Sequence, residues 1–220
     1  MSKIPVYFMP GLAASPAIFE KIRLPEDFEI HLLEWAIPKE KETLTQYAKR
    51  MADQVIHDNA VLIGVSFGGV MVQEMAQFLK LRKLIIISSV KTNHEVPLRM
   101  KIVKSTKAYK LVPTSLLQNI EILNKFSFGS AIKRRLKLYE RYLSMRDKAY
   151  LEWAIEQMIL WNRTEADPDV IHIQGDADEV FPMKNIRNCI SVKGGTHIMI
   201  LSKYRWLNEN LPKIILGTYQ

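Results

Sequence analysis

Six short apolar runs punctuate the chain, at 4–9, 28–34, 60–66, 83–88, 169–174 and 188–192. Most are continuous rather than alternating. A strand that is apolar on both faces is covered on both faces, so the pattern predicts a parallel sheet between layers of helices. Between the runs, apolar positions move to helical spacing. Leu44, Tyr47, Ala48, Met51 and Val55 mark one amphipathic stretch over 44–57. Met71, Val72, Met75, Ala76 and Phe78 mark a second over 69–79, and 206–211 suits a final helix. The gaps are long enough for right-handed crossovers between parallel strands. One gap, 89–168, is far longer than a crossover needs. It holds helical patterns at 98–111, 116–123, 131–143 and 148–161, and Pro97, Pro113 and Pro168 punctuate it. The expected organisation is a sheet core from 1–90 and 168–220, with a helical cap inserted over 91–167.

Composition narrows the picture. The chain has 220 residues, 48% hydrophobic and 25% charged, which suits one globular domain with a sizeable core. No apolar run approaches the ~18 residues that span a bilayer. The first residues run straight into a strand pattern without the layout of a signal peptide. Cys189 is the only cysteine, which excludes an internal disulfide and zinc sites built on several cysteines. Together these features lead us to expect a cytoplasmic protein. The net charge of +8 is concentrated: residues 91–150 hold 14 Lys and Arg against 4 Asp and Glu.

The candidate chemistry centres on Gly64-Val65-Ser66-Phe67-Gly68-Gly69, which follows a strand pattern and opens a helical one. That context is what a nucleophile elbow requires. The chain must turn so sharply that its neighbours two positions away nearly touch, and glycines at 64 and 68 have no Cβ to clash. A serine needs a base, and the base needs an orienting carboxylate. Five histidines are available. His31 and His172 fall within strands, His57 at the end of a helical stretch, and His94 at the start of the insertion, where it could border a pocket. His197 follows Gly194-Gly195-Thr196 in a loop after the last strand, at the same sheet edge as Ser66. Asp176, Asp178 and Glu179 compete for the carboxylate role in the loop after the fifth strand. The oxyanion would take one backbone N–H from Phe67 and a second from Leu12, in the Pro10-Gly11-Leu12 turn after the first strand.

These ordered signals resemble the α/β-hydrolase superfamily. The resemblance covers residues 4 to about 90 and 170 to the end. It rests on Met9-Pro10-Gly11-Leu12, the Ser66 motif, Gly175-Asp176-Ala177-Asp178 with Val180-Phe181-Pro182, and Gly195-Thr196-His197. It implies Ser66, Asp178 and His197 as a catalytic triad, because the family's acid usually lies three positions after such a glycine. It also implies a six-stranded, mostly parallel sheet that begins at the family's third strand, with the insertion in the cap position. Many members have His-Gly where this chain has Pro10-Gly11.

The expected activity is hydrolysis of a carboxylic ester or thioester through an acyl-enzyme. The substrate would be a small acyl compound, and the chemistry implies neither a metal nor an organic cofactor. The alternative is a non-catalytic binding protein on the same fold, which a His197 unable to approach both Ser66 and Asp178 would favour. In the insertion, Leu151, Ala154, Ile155, Met158 and Ile159 share a helical face, with Trp153 and Trp161 nearby. They would pack the cap onto the core, and some would line an apolar acyl pocket. The basic amphipathic stretch 133–143 reads as a solvated face or as a surface for an anionic substrate or lipid. No nucleic-acid motif accompanies it, and none is expected to bind.

Overall fold

The computed structural model describes residues 3–106 and 141–219. Six strands form one sheet: β1 (Ile4–Met9), β2 (Phe28–Leu32), β3 (Ala60–Val65), β4 (Leu81–Ile87), β5 (Val170–Gly175) and β6 (Ile190–Val192). Their order is β2-β1-β3-β4-β5-β6, and every pairing is parallel. All six apolar runs became strands, with ends moved by one or two residues. The central strand β3 is buried at every position, as its unbroken apolar sequence requires.

Helices cover both faces. On one lie α1 (Leu44–Ala52) and α2 (Phe67–Met75), in an apolar layer with Tyr7, Met9, Leu62 and Ile86. Alternate strand residues (Val6, Phe8, Val61, Ile63 and Ile85) point the other way. They pack on α5 (Met199–Ser202), α6 (Tyr204–Leu216) and the 3-10 turn Pro16–Phe19. Thr43 and Gln46 form a capping box that starts α1. The helix stops at Ala52, short of the expected 44–57. Gln54 N–H and Val55 N–H turn back to the Met51 and Ala52 carbonyls instead, so Val55 is buried through a turn and His57 lies in a loop.

In the insertion, α3 (Leu98–Thr106) and α4 (Lys148–Leu160) are described. The expected helix at 116–123, most of 131–143 and the end of 98–111 lie outside the described residues. On α4, Leu151, Ala154 and Met158 are buried in the same apolar layer as Trp35 and Phe67, together with Trp153. That stripe packs the insertion onto the core. Its polar fastenings are Trp153 Nε1–H to the Glu42 carbonyl (2.7 Å) and Arg163 Nη2 to Glu74 Oε1 (2.9 Å). Arg141, from the basic stretch, pairs with Glu20 through both carboxylate oxygens (2.9 and 2.7 Å). No helix among the described residues is long and apolar enough to cross a membrane.

Candidate active site

In a parallel sheet the loops that leave the strand carboxyl ends share one edge. Here three such loops converge. Ser66, between β3 and α2, has φ 54° and ψ −122°, a conformation that costs a non-glycine residue about 1–3 kcal/mol. Its backbone is held on both sides: Ser66 N–H donates to the Ile87 carbonyl (2.9 Å), and its own carbonyl accepts from Ser89 Oγ–H (2.7 Å) and Gly69 N–H (2.8 Å). The glycines are sterically required. A Cβ on Gly64 would meet the Gly68 backbone, and one on Gly68 would meet the Pro10 and Met9 carbonyls.

A second glycine contact joins the other two loops. Gly175 ends β5 and Gly195 follows β6, and a Cβ on either would strike the backbone of the other. Ala177 N–H donates to the Gly195 carbonyl (3.0 Å), and Asp176 Oδ1 accepts the Gly194 N–H (2.6 Å). This junction brings Asp178 and His197 together. Asp178 Oδ2 lies 3.0 Å from His197 Nδ1, and His197 Nε2 lies 2.9 Å from Ser66 Oγ. Of the three candidate acids, Asp176 and Glu179 are exposed and Asp178 is buried.

Asp178 is held by four donors. Oδ1 accepts Val180 N–H (2.7 Å) and Phe181 N–H (2.9 Å). Oδ2 accepts Gln174 Nε2–H (3.0 Å) as well as the His197 ring. Burial pushes this carboxyl up, but the His197 hydrogen bond and charge and the two backbone N–H groups outweigh it. The net effect holds the carboxyl below its usual range. An ionised Asp178 accepts from Nδ1–H, which leaves Nε2 as the acceptor facing the Ser66 hydroxyl.

Two residues behind the acid carried no assigned role in the sequence. Gln174 Nε2 donates to both Asp178 Oδ2 and the Phe181 carbonyl (2.7 Å), which fixes the amide's orientation. Its Oε1 then faces His172 Nε2 (3.1 Å), so that nitrogen carries the proton. Burial pushes the His172 imidazole down to about 4, against the opposing hydrogen bond to Gln174. The signal for this pair was available: His172 and Gln174 share one face of an otherwise apolar strand, six and four residues before Asp178.

The Pro10–Ser15 loop lies against Ser66, with an ideal Cβ on Gly11 only 3.4 Å from the Ser66 Cβ. Gly11 O accepts Trp35 Nε1–H (2.9 Å), Ala13 N–H donates to Tyr150 Oη (3.3 Å), and Ala13 O accepts Met145 N–H (3.1 Å). Ala13 sits at φ 62°, a left-handed conformation that these contacts stabilise. Burial pushes the Tyr150 phenol well above its usual range, so it stays protonated. Neither Leu12 N–H nor Phe67 N–H donates to an acceptor among the described residues. Two surface clefts lie elsewhere. One is bordered by Leu44, Glu74 and Trp161, the other by His94, Met100 and Ile159, and neither is lined by Ser66, Asp178 or His197.

The fold is that of the α/β-hydrolases. Solved structures that share it include a thermophilic esterase from Thermogutta terrifontis (14% identity, TM-score 0.65, covering 100% of this chain and 92% of that one). A bromoperoxidase from Bacillus anthracis is similar at 17% identity and TM-score 0.68, covering 98% and 92%. The enol-lactonase from Burkholderia xenovorans LB400 is similar at 13% identity and TM-score 0.68, covering 99% and 92%. No protein-family model matches the chain, and no curated protein sequence does.

Proposed function

We propose that the chain is a serine hydrolase that cleaves a carboxylic ester or thioester through an acyl-enzyme. The observation that carries this reading is the unbroken relay Asp178–His197–Ser66, with contacts of 3.0 and 2.9 Å, ending at a serine in a strained turn. His197 Nε2 takes the proton as Ser66 Oγ attacks the acyl carbon. The oxyanion forms beside the Leu12 and Phe67 N–H groups, at the positive end of α2. Asp178 holds the ring in the required tautomer and stabilises the imidazolium. His197 then protonates the leaving oxygen or sulfur, and water activated by the same ring releases the acid. The esterase and lactonase named above, which share the fold, are compatible with this class of reaction.

The test is a panel of p-nitrophenyl esters and acyl thioesters of increasing chain length, given to the protein and to Ser66→Ala. The expected result is hydrolysis of at least one series, with kcat lower by about 10⁶-fold in the variant. Turnover retained by a pure, folded Ser66→Ala protein would overturn the assignment.

A further inference from the structure

The amino-terminal half of the sheet carries a second group of titratable side chains. Glu29 and His31 lie two apart on β2, so their side chains share a face of this edge strand. His57, in the loop before β3, lies on the same face. One donor atom from each of the three comes within 4.8 Å of the other two, the sole such group of His, Cys, Asp or Glu among the described residues. The imidazoles of His31 and His57 have their centroids 4.8 Å apart.

The hydrogen bonds around the group are unequal. His31 Nε2 is shielded from solvent and has no hydrogen-bond partner, with the Glu29 carboxylate 3.7 Å away. A shielded polar nitrogen without a partner is costly, so its retention calls for an explanation. His57 Nδ1 is engaged by Tyr7 Oη at 2.6 Å. That leaves His57 Nε2 available on the other side of the ring. Tyr7, on β1, also stacks on its β2 register partner His31, with centroids 4.6 Å apart and planes inclined at 16°.

We infer that Glu29, His31 and His57 form a binding site for a borderline divalent cation such as Zn(II), with Tyr7 as the outer partner that orients His57. Two imidazoles and one carboxylate are a donor set for first-row metals rather than for calcium or magnesium. Tetrahedral zinc with bonds of about 2.0–2.1 Å needs its ligand atoms about 3.3 Å apart. Rotation of the exposed Glu29 and a small closure of the imidazoles would reach that spacing, with water completing the shell. With the metal on Nε2, His57 Nδ1–H donates to the Tyr7 oxygen, the usual outer-shell arrangement for a ligating histidine. The cation would clip the edge strand β2 to the loop that enters β3. It takes no part in the acyl chemistry at the opposite edge of the sheet.

The experiment is calorimetric titration of the untagged 220-residue chain with Zn(II) alone, supported by the visible absorption of bound Co(II). One cation per chain is expected in the wild type. Glu29→Gln and His57→Gln should weaken binding by more than about 100-fold, and Tyr7→Phe by about tenfold, as loss of an outer-shell partner does. Glu29 is exposed, so its variant keeps the fold and its loss of binding reports the ligand itself. His197→Ala should bind like the wild type. The proposal fails if the wild type binds no cation, if Glu29→Gln and His57→Gln bind as tightly, or if binding disappears in His197→Ala. None of these readouts depends on ester turnover.

Discussion

Both ends of the sheet set a histidine beside a carboxylate, and they differ in what the imidazole nitrogens do. At the carboxyl edge, both nitrogens of His197 are engaged, by Asp178 on one side and Ser66 on the other. The acid in turn is saturated with donors from Gln174, Val180 and Phe181. At the amino end, His31 Nε2 has no partner, and its carboxylate stands off at 3.7 Å. Under the proposed function, this closed relay moves a proton between fixed partners. An open nitrogen facing a carboxylate and a second imidazole is arranged to receive a ligand. The same residue types thus take different roles according to whether their hydrogen bonds are completed from within.

The comparison is broken most strongly by Asp178→Asn. The amide would stabilise the wrong His197 tautomer, and kcat should fall by about 10⁴-fold with the fold intact. Steady-state kinetics beside circular dichroism checks this, and a loss below tenfold would show that the acid is not coupled to the ring.

A smaller effect lies behind the acid. His172 titrates at about 4 in the folded chain against 6.5 for an ordinary histidine, because burial disfavours the charged form. The unfolded chain therefore binds the extra proton first. The stability held by neutral His172 is complete above pH 6.5, falls as the pH drops, and is lost by about pH 4. The total is roughly 3 kcal/mol from a depression of about 2.5 pH units. Urea unfolding at pH 7, 6, 5 and 4 should show this slope in the wild type and a shallower one in His172→Phe. Equal slopes would remove His172 from the account.

Gln174→Leu should have the mildest effect on turnover. It removes one of four donors to Asp178, and loss of about 1.4 kcal/mol corresponds to about tenfold in kcat. KM should change little, since Gln174 is buried behind the acid. A change confined to KM would mean that it acts on substrate instead.

Much of this arrangement was legible in the residues because the physics is local. Buried parallel strands must be apolar on both faces, so 60–66 and 83–88 announce themselves. The spacing of Gly64, Ser66 and Gly68 follows from one steric requirement of the elbow. Other features depend on contacts that close only in three dimensions. Trp35 and Tyr150, far apart in the chain, both hold the Pro10–Ser15 loop, and neither lies in a motif. The stripe on α4 announced burial for Leu151, Ala154 and Met158, while Ile155 and Ile159 are half-buried, and periodicity could not distinguish packing on the core from lining a pocket. His57 fell at the end of a periodic stretch, yet the helix stops at Ala52 and a turn carries the residue to the sheet's amino end.

The central claim is that Ser66 is activated by His197, and its most direct test is covalent. The purified protein and its Ser66→Ala variant are incubated with a fluorophosphonate, and intact masses are recorded. The account predicts one adduct per wild-type chain, mapped by peptide sequencing to Ser66, and none on the variant. A folded wild type that stays unlabelled, or a variant that labels equally, would contradict it.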